Sequence, residues 1–227
     1  MSNVYGTEED KLNCPFYFKI GACRHGEKCT RIHNKPVSSQ TILLKNLYQN
    51  TREETLLAEG KNLKEEDLIN LTKNFEDFYE DIFVTLMEYG KIEDLNVCDN
   101  LGYHLIGNVY VKFSTVEEAK TAVSKLQNKF YDNRTILAEF TPVTDFKDSR
   151  CRQYDDGKCT RGAFCNFMHL KPISSKFKNL LYEKMYSEYP QYKKRTNKFN
   201  DRSKSRRSRS RSRSYSRDGD CKFIYIF

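Results

Sequence analysis

Tryptophan is absent from this sequence of 227 residues, and so is any uninterrupted apolar run of the length that a membrane-spanning helix needs, about 18 residues. The opening residues MSNVYGTEEDKLN are polar and acidic, which fits neither a secretory signal nor an Arg-rich transit peptide. We therefore expect a reducing compartment, where the eight Cys residues bind metal more readily than they form disulfides. An apolar content of 38% predicts one or two small domains with a modest core.

The net charge of +8 is distributed unevenly along the chain. Residues 11–35 carry +5 and residues 147–172 carry +3, whereas residues 36–146 carry −8, from 11 Lys and Arg against 19 Asp and Glu. Residues 191–217 carry +11. An acidic middle thus lies between two short basic segments and is followed by a basic tail. This pattern predicts nucleic acid at the basic parts and a different kind of partner in the middle.

Both short basic segments carry three Cys and one His at matching spacing, Cys-x8-Cys-x5-Cys-x3-His and Cys-x7-Cys-x5-Cys-x3-His, and Lys-Pro follows each His closely. Three thiolates and one imidazole complete a closed tetrahedral zinc shell, as in structural sites, and zinc must supply the folding free energy of so short a segment. Disulfides or free thiols are the alternative. The predicted ligands are Cys14, Cys23, Cys29 and His33 in the first segment and Cys151, Cys159, Cys165 and His169 in the second.

The internal repeat also assigns the remaining candidates. His25 lies near the first site, but its counterpart in the second segment is Arg161, so we predict an exposed side chain, with RNA contact as the alternative. Cys98 and Cys221 have no partner at ligand spacing and are expected to be packed or free thiols. Aromatic residues interleave with Arg and Lys in both fingers, as single-stranded RNA requires; the alternative is that some rings form each finger's small core.

The acidic middle switches between the periods of strands and helices in a readable order. A helix with apolar residues three or four apart covers 64–89, with Gly90 as its left-handed end, and a second helix covers 115–128. Residues 49–63 are interpreted as a loop or extension. The predicted strands are 41–47, 92–97, 105–113 and 136–140, which gives the order βαββαβ, a small sheet backed by two helices.

That order resembles an RNA-recognition motif, whose two sheet sequences match residues 42–47 and 106–113. Leu43 and Asn108 stand where base-stacking rings belong, Ile106 replaces a basic residue, and only Tyr110 keeps its ring. A domain with a net charge of −8 and one stacking ring is a poor RNA binder. Its first helix is acidic, with Glu76, Asp77, Glu80, Asp81 and Glu88, which predicts a basic protein ligand rather than a merely solvated face.

The whole chain resembles the small subunit of the U2 small nuclear ribonucleoprotein auxiliary factor, a pre-mRNA splicing factor family. The segments KIGACRHG at 19–26, NVCDNLG at 96–102 and CNFMHLKP at 165–172 carry the resemblance, which covers residue 5 to about residue 190. It implies an α+β chain in which a U2AF homology motif at 40–146 lies between zinc fingers at 11–36 and 147–172. A helix at 173–190 and a disordered Arg/Ser-rich tail at 191–227 complete it.

The resemblance further implies that both fingers read the AG dinucleotide at the 3′ splice site and that the central domain clamps a Trp-containing peptide of the large subunit. Lys129, Phe130 and Tyr131 match the family's Arg-x-Phe loop, with Lys in place of Arg, Tyr in place of Phe, and Phe130 in place of a Trp. The other implied partner contacts are Asp77, Glu80 and Asp81. The implied RNA contacts are Phe16, Arg24, Thr30, Arg31, Arg152 and Phe167.

We therefore predict a nuclear, non-catalytic splicing subunit that binds two Zn²⁺ ions, the large subunit and single-stranded RNA. The tail could bind other Arg-Ser proteins or, more simply, serve solubility. One alternative is a scaffold whose fingers brace the central domain without reading RNA, and another is a cytoplasmic mRNA-turnover protein with Cys3His fingers. Closed zinc shells and the lack of a nucleophile–base set disfavour an enzyme.

Overall fold

The computed structural model describes residues 12–51, residue 54 and residues 62–195. The Arg/Ser-rich tail from 196, Cys221 and most of the segment between 52 and 61 lie outside the described residues. The helices are α1 Pro15–Ile20, α2 Glu65–Met87, α3 Val116–Leu126, α4 Phe146–Ser149, α5 Arg152–Asp155 and α6 Ser175–Glu188. The strands are β1 Thr41–Leu44, β2 Ile92–Val97, β3 Val109–Phe113, β4 Phe130–Tyr131, β5 Arg134–Thr135 and β6 Ala138–Phe140.

Four strands form an antiparallel sheet in the order β2-β3-β1-β6, and β4 pairs with β5 as a separate hairpin. The predicted order βαββαβ is confirmed, with the small hairpin inserted before the last strand. Helix α2 begins with three acids, which suit the positive end of its dipole, and α3 begins with a capping box between Thr115 and Glu118. None of the described helices has the length and apolar character of a membrane span.

One core lies between the sheet and the helices α2, α3 and α6. Because side chains alternate along a strand, Ile42 and Leu44 of β1 point into this core while Leu43 points to the opposite face. Helix α6 contributes Leu181 and Met185, both buried, which confirms that the helix after the second finger packs on the central domain.

Two expectations about the central domain need correction. The third strand begins at Val109 rather than at 105, because the amides of Leu105 and Ile106 both bond the Gly102 carbonyl in a turn. Gly90 is not the left-handed end of α2, since its φ is not positive. A Cβ at Gly90 would clash with the side chain of Glu118, so glycine is required there by the close approach of α3.

Candidate metal centres and nucleic-acid interface

Each Cys3His segment is closed by the same backbone contact. The amide of Cys14 donates to the Ile32 carbonyl at 2.9 Å, and the amide of Cys151 donates to the Met168 carbonyl at 2.9 Å. Each bond joins the first Cys of a segment to the residue before its His. A short helix follows each of these Cys residues, and a 3₁₀ turn precedes each third Cys. The sequence repeat is therefore also a structural repeat, and it brings the two ends of each segment together.

The structure gathers the predicted ligand atoms into two clusters. Within each cluster the four ligand atoms lie within 4.8 Å of one another, and these clusters are Cys14, Cys23, Cys29 and His33, and Cys151, Cys159, Cys165 and His169. The Nε2 atoms of His33 and His169 are buried and have no hydrogen-bond partner. A buried imidazole nitrogen without a partner beside three thiols fits a metal ligand, and three sulfur donors with one nitrogen suit Zn²⁺. The chain thus carries two Cys3His zinc-finger sites.

Histidine and cysteine residues that were not predicted as ligands lie elsewhere. His25 is exposed, stands outside the first cluster and accepts from Arg24 Nε at 3.3 Å. Cys98 is fully buried in the core, and burial raises the pKa of its thiol well above the usual value. Both placements agree with the expectations from spacing.

Each candidate histidine stacks on a tyrosine three residues after the first Cys. The rings of Tyr17 and His33 are 4.5 Å apart and those of Tyr154 and His169 are 4.0 Å apart, with interplanar angles of 9° in both pairs. Sequence reasoning grouped Tyr154 with possible RNA-stacking rings and missed this role. The signal was available, since Cys-x2-Tyr occurs in both segments. These tyrosines hold the imidazole planes in place from one side.

In the second finger the central domain supports the histidine as well. The Tyr154 hydroxyl donates to Asp99 Oδ2 at 2.7 Å, the His169 amide donates to Asn100 Oδ1 at 2.8 Å, and the Asp99 amide donates to the His169 carbonyl at 2.7 Å. Burial lowers the pKa of His169 to about 4, which keeps the imidazole in its neutral, ligating form at neutral pH. Asp99 and Asn100 therefore act on the second site without being ligands.

A cation completes the surroundings of the second site. Arg161 is exposed, yet it donates from Nη2 to Cys151 Sγ at 3.1 Å, and its guanidinium lies 5.7 Å from the centre of the Phe167 ring. Its counterpart in the first finger, His25, makes neither contact among the described residues. The two fingers are thus alike in backbone and in donor set but differ in the charge beside the thiolates.

Both fingers cover the sheet face that an RNA-recognition motif normally offers to RNA. Tyr110, the one retained stacking ring, is fully buried there, and its hydroxyl donates to the Ile20 carbonyl of the first finger at 2.8 Å. Leu43 is buried in the same cluster, together with Ile20 and with Met168 of the second finger. This face is closed, and a base cannot stack on Tyr110 in this arrangement.

The fingers also contact each other. The rings of Phe16 and Phe167 meet edge to face at 6.2 Å, and Ser149 Oγ donates to the Lys19 carbonyl at 2.5 Å. The other predicted RNA contacts, Arg24, Thr30, Arg31 and Arg152, are exposed, while Phe16 and Phe167 are half-buried. The two predicted stacking rings, one from each finger, therefore lie together at one junction.

The predicted partner residues form two groups on the other side of the domain. On α2, Asp77 and Asp81 are exposed, whereas Glu80 already accepts from Lys184 Nζ of α6 at 3.0 Å. In the second group, Phe130 is 68% exposed and Tyr131 packs edge to face on Phe78 with ring centres 5.6 Å apart. Lys129 donates from Nζ to the Tyr89 hydroxyl at 2.8 Å.

A cleft of about 270 Å³ lies next to these residues. Its lining combines aromatic rings with polar side chains, namely Leu47, Tyr48, Gln49, Thr51, Asn74, Phe78, Tyr131, Asp132 and Arg134. Arg134 fixes one wall, because its guanidinium donates to the carbonyls of Asn46 and Leu47 at 3.0 and 2.8 Å. Of the predicted partner residues, only Tyr131 lines the cleft.

Two family models match the chain. The zinc finger C-x8-C-x5-C-x3-H type (and similar) matches residues 9–35 and 146–171, and the RNA recognition motif matches residues 69–137. These ranges coincide with the two ligand clusters and with most of the sheet domain.

Curated relatives match most of the chain. It is 52% identical over 183 residues to the splicing factor U2AF 26 kDa subunit of Rattus norvegicus, which covers 80% of this chain and 83% of that protein. It is 50% identical over 189 residues to the splicing factor U2af 38 kDa subunit of Drosophila melanogaster, with 81% and 70% covered. It is 47% identical over 191 residues to a splicing factor U2af small subunit of Arabidopsis thaliana, with 83% and 66% covered.

Proposed function

Because the chain belongs to the family of the small subunits of splicing factor U2AF, we propose that its two fingers together read the AG dinucleotide at the 3′ splice site while its central domain binds the large subunit. The role is one of binding rather than catalysis. It is carried out in the nucleus, where this binding promotes recruitment of the U2 small nuclear ribonucleoprotein.

The closed sheet face is the observation that carries this proposal. An RNA-recognition motif that binds RNA conventionally uses rings on that face, and here Tyr110 is buried under the first finger. RNA must therefore bind elsewhere, and the fingers are the basic parts of the folded chain, with net charges of +5 and +3.

The junction between the fingers has the chemistry that a short single strand needs. Phe16 and Phe167 offer ring edges and faces from two sides, and the exposed Arg24, Arg31 and Arg152 supply cations for phosphates. Thr30 offers a hydroxyl for a base or sugar. A site made by both fingers at once would recognise two adjacent nucleotides only when both zinc sites are formed.

The opposite side of the domain suits a basic peptide with one aromatic residue. Asp77 and Asp81 face solvent, and the nearby cleft has walls formed by the rings of Tyr48, Phe78 and Tyr131. Lys129 is a point charge that bonds Tyr89, so it cannot stack or pair in the bidentate way of an arginine. We expect the exposed Phe130 ring to take the contact that a Trp makes in the family.

Titration of the purified heterodimer with a short RNA containing UAGG tests the proposal. Replacement of AG by CG should weaken binding by about tenfold or more, because bases lose about 1–3 kcal/mol when their contacts are lost. Unchanged affinity would leave the fingers as braces of the central domain and favour the scaffold alternative. An exclusively cytoplasmic location in cells would favour a role in mRNA turnover instead.

A further inference from the structure

The two fingers differ in what covers the strand that carries their histidine. In the second finger this strand pairs with the end of β2: the Asp99 amide donates to the His169 carbonyl at 2.7 Å, and the Lys171 amide donates to the Val97 carbonyl at 2.9 Å. Cys98 and Leu170 form the antiparallel bridge between these bonds. The second finger therefore holds residues 97–100 of its own chain as an added strand.

Side chains complete this docking. The Asp99 carboxylate accepts from the Tyr154 hydroxyl at 2.7 Å and from Lys171 Nζ at 3.2 Å. Tyr154 lies three residues after the first Cys of its finger and Lys171 two residues after its His. The docked segment is thus extended and is recognised through an acidic side chain, with Met168 buried beside it.

The first finger repeats these features with nothing docked on them. Tyr17 and Lys35 occupy the positions of Tyr154 and Lys171. Among the residues that the structure describes, no hydrogen bond reaches the His33 carbonyl, the Lys35 amide or the Tyr17 hydroxyl. We call residues 32–36 the finger 1 edge. Ile32, the counterpart of the fully buried Met168, is 53% exposed there.

A groove of about 290 Å³ runs along the finger 1 edge. It is lined by apolar and amide side chains from the edge, from α1 and its approach and from residue 142, namely Asn13, Cys14, Tyr17, Phe18, Ile32, Asn34, Lys35, Pro36 and Pro142. Phe18, 68% exposed, forms part of the wall. The surroundings that the second finger offers to residues 97–100 are therefore present and open in the first finger.

We propose that the finger 1 edge binds an extended, acidic segment of a protein partner by strand addition, as the second finger binds residues 97–100 of its own chain. Charge supports this occupant, because residues 11–35 carry a net charge of +5. Glu139 is the acidic group nearby, but its carboxylate lies 2.7 Å from Lys45 and 4.0 Å from Lys35, so Lys35 retains its capacity for a second carboxylate.

The backbone groups distinguish a peptide from RNA at this edge. The His33 carbonyl needs a donor and the Lys35 amide needs an acceptor, at the spacing of an antiparallel strand. A peptide backbone offers both, whereas phosphate oxygens only accept. The favoured segment resembles 97–100 in chemistry: apolar residues followed by Asp or Glu.

The probe is a synthetic peptide that copies residues 95–102 with Cys98→Ala, added to the zinc-loaded full chain and followed by NMR shifts. A dissociation constant of about 0.1–1 mM is expected, since so short a segment buries little area. Shifts should fall on residues 13–18 and 32–36. Peptide carrying Asp99→Ala and protein carrying Tyr17→Phe or Lys35→Ala should each bind about tenfold more weakly, because each loses a charge-assisted hydrogen bond.

Lys45→Ala is the matched control, since it removes a nearby lysine that also contacts Glu139, and it should leave peptide affinity unchanged. Absence of shifts at the finger 1 edge, or equal loss with Lys45→Ala, would overturn the proposal. Displacement of the peptide by the UAGG RNA, with Lys35→Ala weakening RNA but not peptide, would assign the groove to RNA instead.

Discussion

Tyr154 illustrates how a single hydroxyl outside the metal shell can matter to it. The variant Tyr154→Phe keeps the ring stacked on His169 but removes the hydrogen bond to Asp99. We expect zinc affinity at the second site to fall by about tenfold, the lower end of losses for residues that support a metal ligand. Competition with a chelator, read through the spectrum of Co²⁺ in the same sites, measures it.

Tyr17→Phe is the matched variant of the first finger. Its ring stacks on His33 in the same way, but its hydroxyl has no hydrogen-bond partner among the described residues, so metal affinity of the first site should not change. An equal loss in both variants would mean that the phenol itself, and not the bond to Asp99, supports the site.

At the scale of elements, helix α2 has two faces with separate tasks. One face fills the core with Phe75, Phe83 and Leu86, and the other presents Asp77 and Asp81. Glu80, predicted as a partner contact, is bonded to Lys184 of α6, so part of the acidic face is already occupied within the chain. The partner is left to meet Asp77 and Asp81.

Charge reversal of Asp77 tests this division. Asp77→Lys should weaken the affinity for the large subunit about tenfold, chiefly through slower association, and the loss should shrink as salt is raised. Glu117→Lys on α3, also an exposed acid of a helix, serves as the control and should have little effect. Calorimetry and stopped-flow association at two salt concentrations give the comparison, and equal losses would place the ligand elsewhere.

The sequence predicts elements better than it predicts their ends. Apolar spacing located α2 within two residues, because its core face repeats over more than six turns. The β4–β5 hairpin was missed, although Asp132 and Asn133, at φ 46° and 59°, are typical turn residues for so tight a hairpin. Each strand of this hairpin has only two residues, too few to show an alternating pattern.

At the scale of the whole molecule, removal of zinc should affect the sheet as well as the fingers. Leu43 and Tyr110 are buried by residues of the two fingers, so chelation should expose an apolar face of the central domain. We expect increased binding of a hydrophobic dye and aggregation, while α2 and α3 remain helical by circular dichroism. A metal-free chain that binds no dye would show that the sheet stays covered without the metal.

The long-range contacts explain what sequence reasoning could not supply. Residue types and spacing were sufficient to predict both ligand sets and the weak RNA-binding character of the sheet. Nothing in the sequence near Ile20 indicates that its carbonyl meets Tyr110, 90 residues away, because such pairings depend on the packing of separate elements. The same holds for Asp99 and Tyr154, which lie 55 residues apart.

The burial of one sheet face beneath both fingers has a consequence for how such chains can diversify. A finger that shares its core with a sheet cannot be exchanged for another Cys3His finger as an independent cassette, because residues such as Ile20 and Met168 must match Leu43 and Tyr110. Duplication or transfer is expected to succeed only for the whole of residues 12–195. Recombination within this range would break a shared interior, whereas the tail beyond it is free to vary in length.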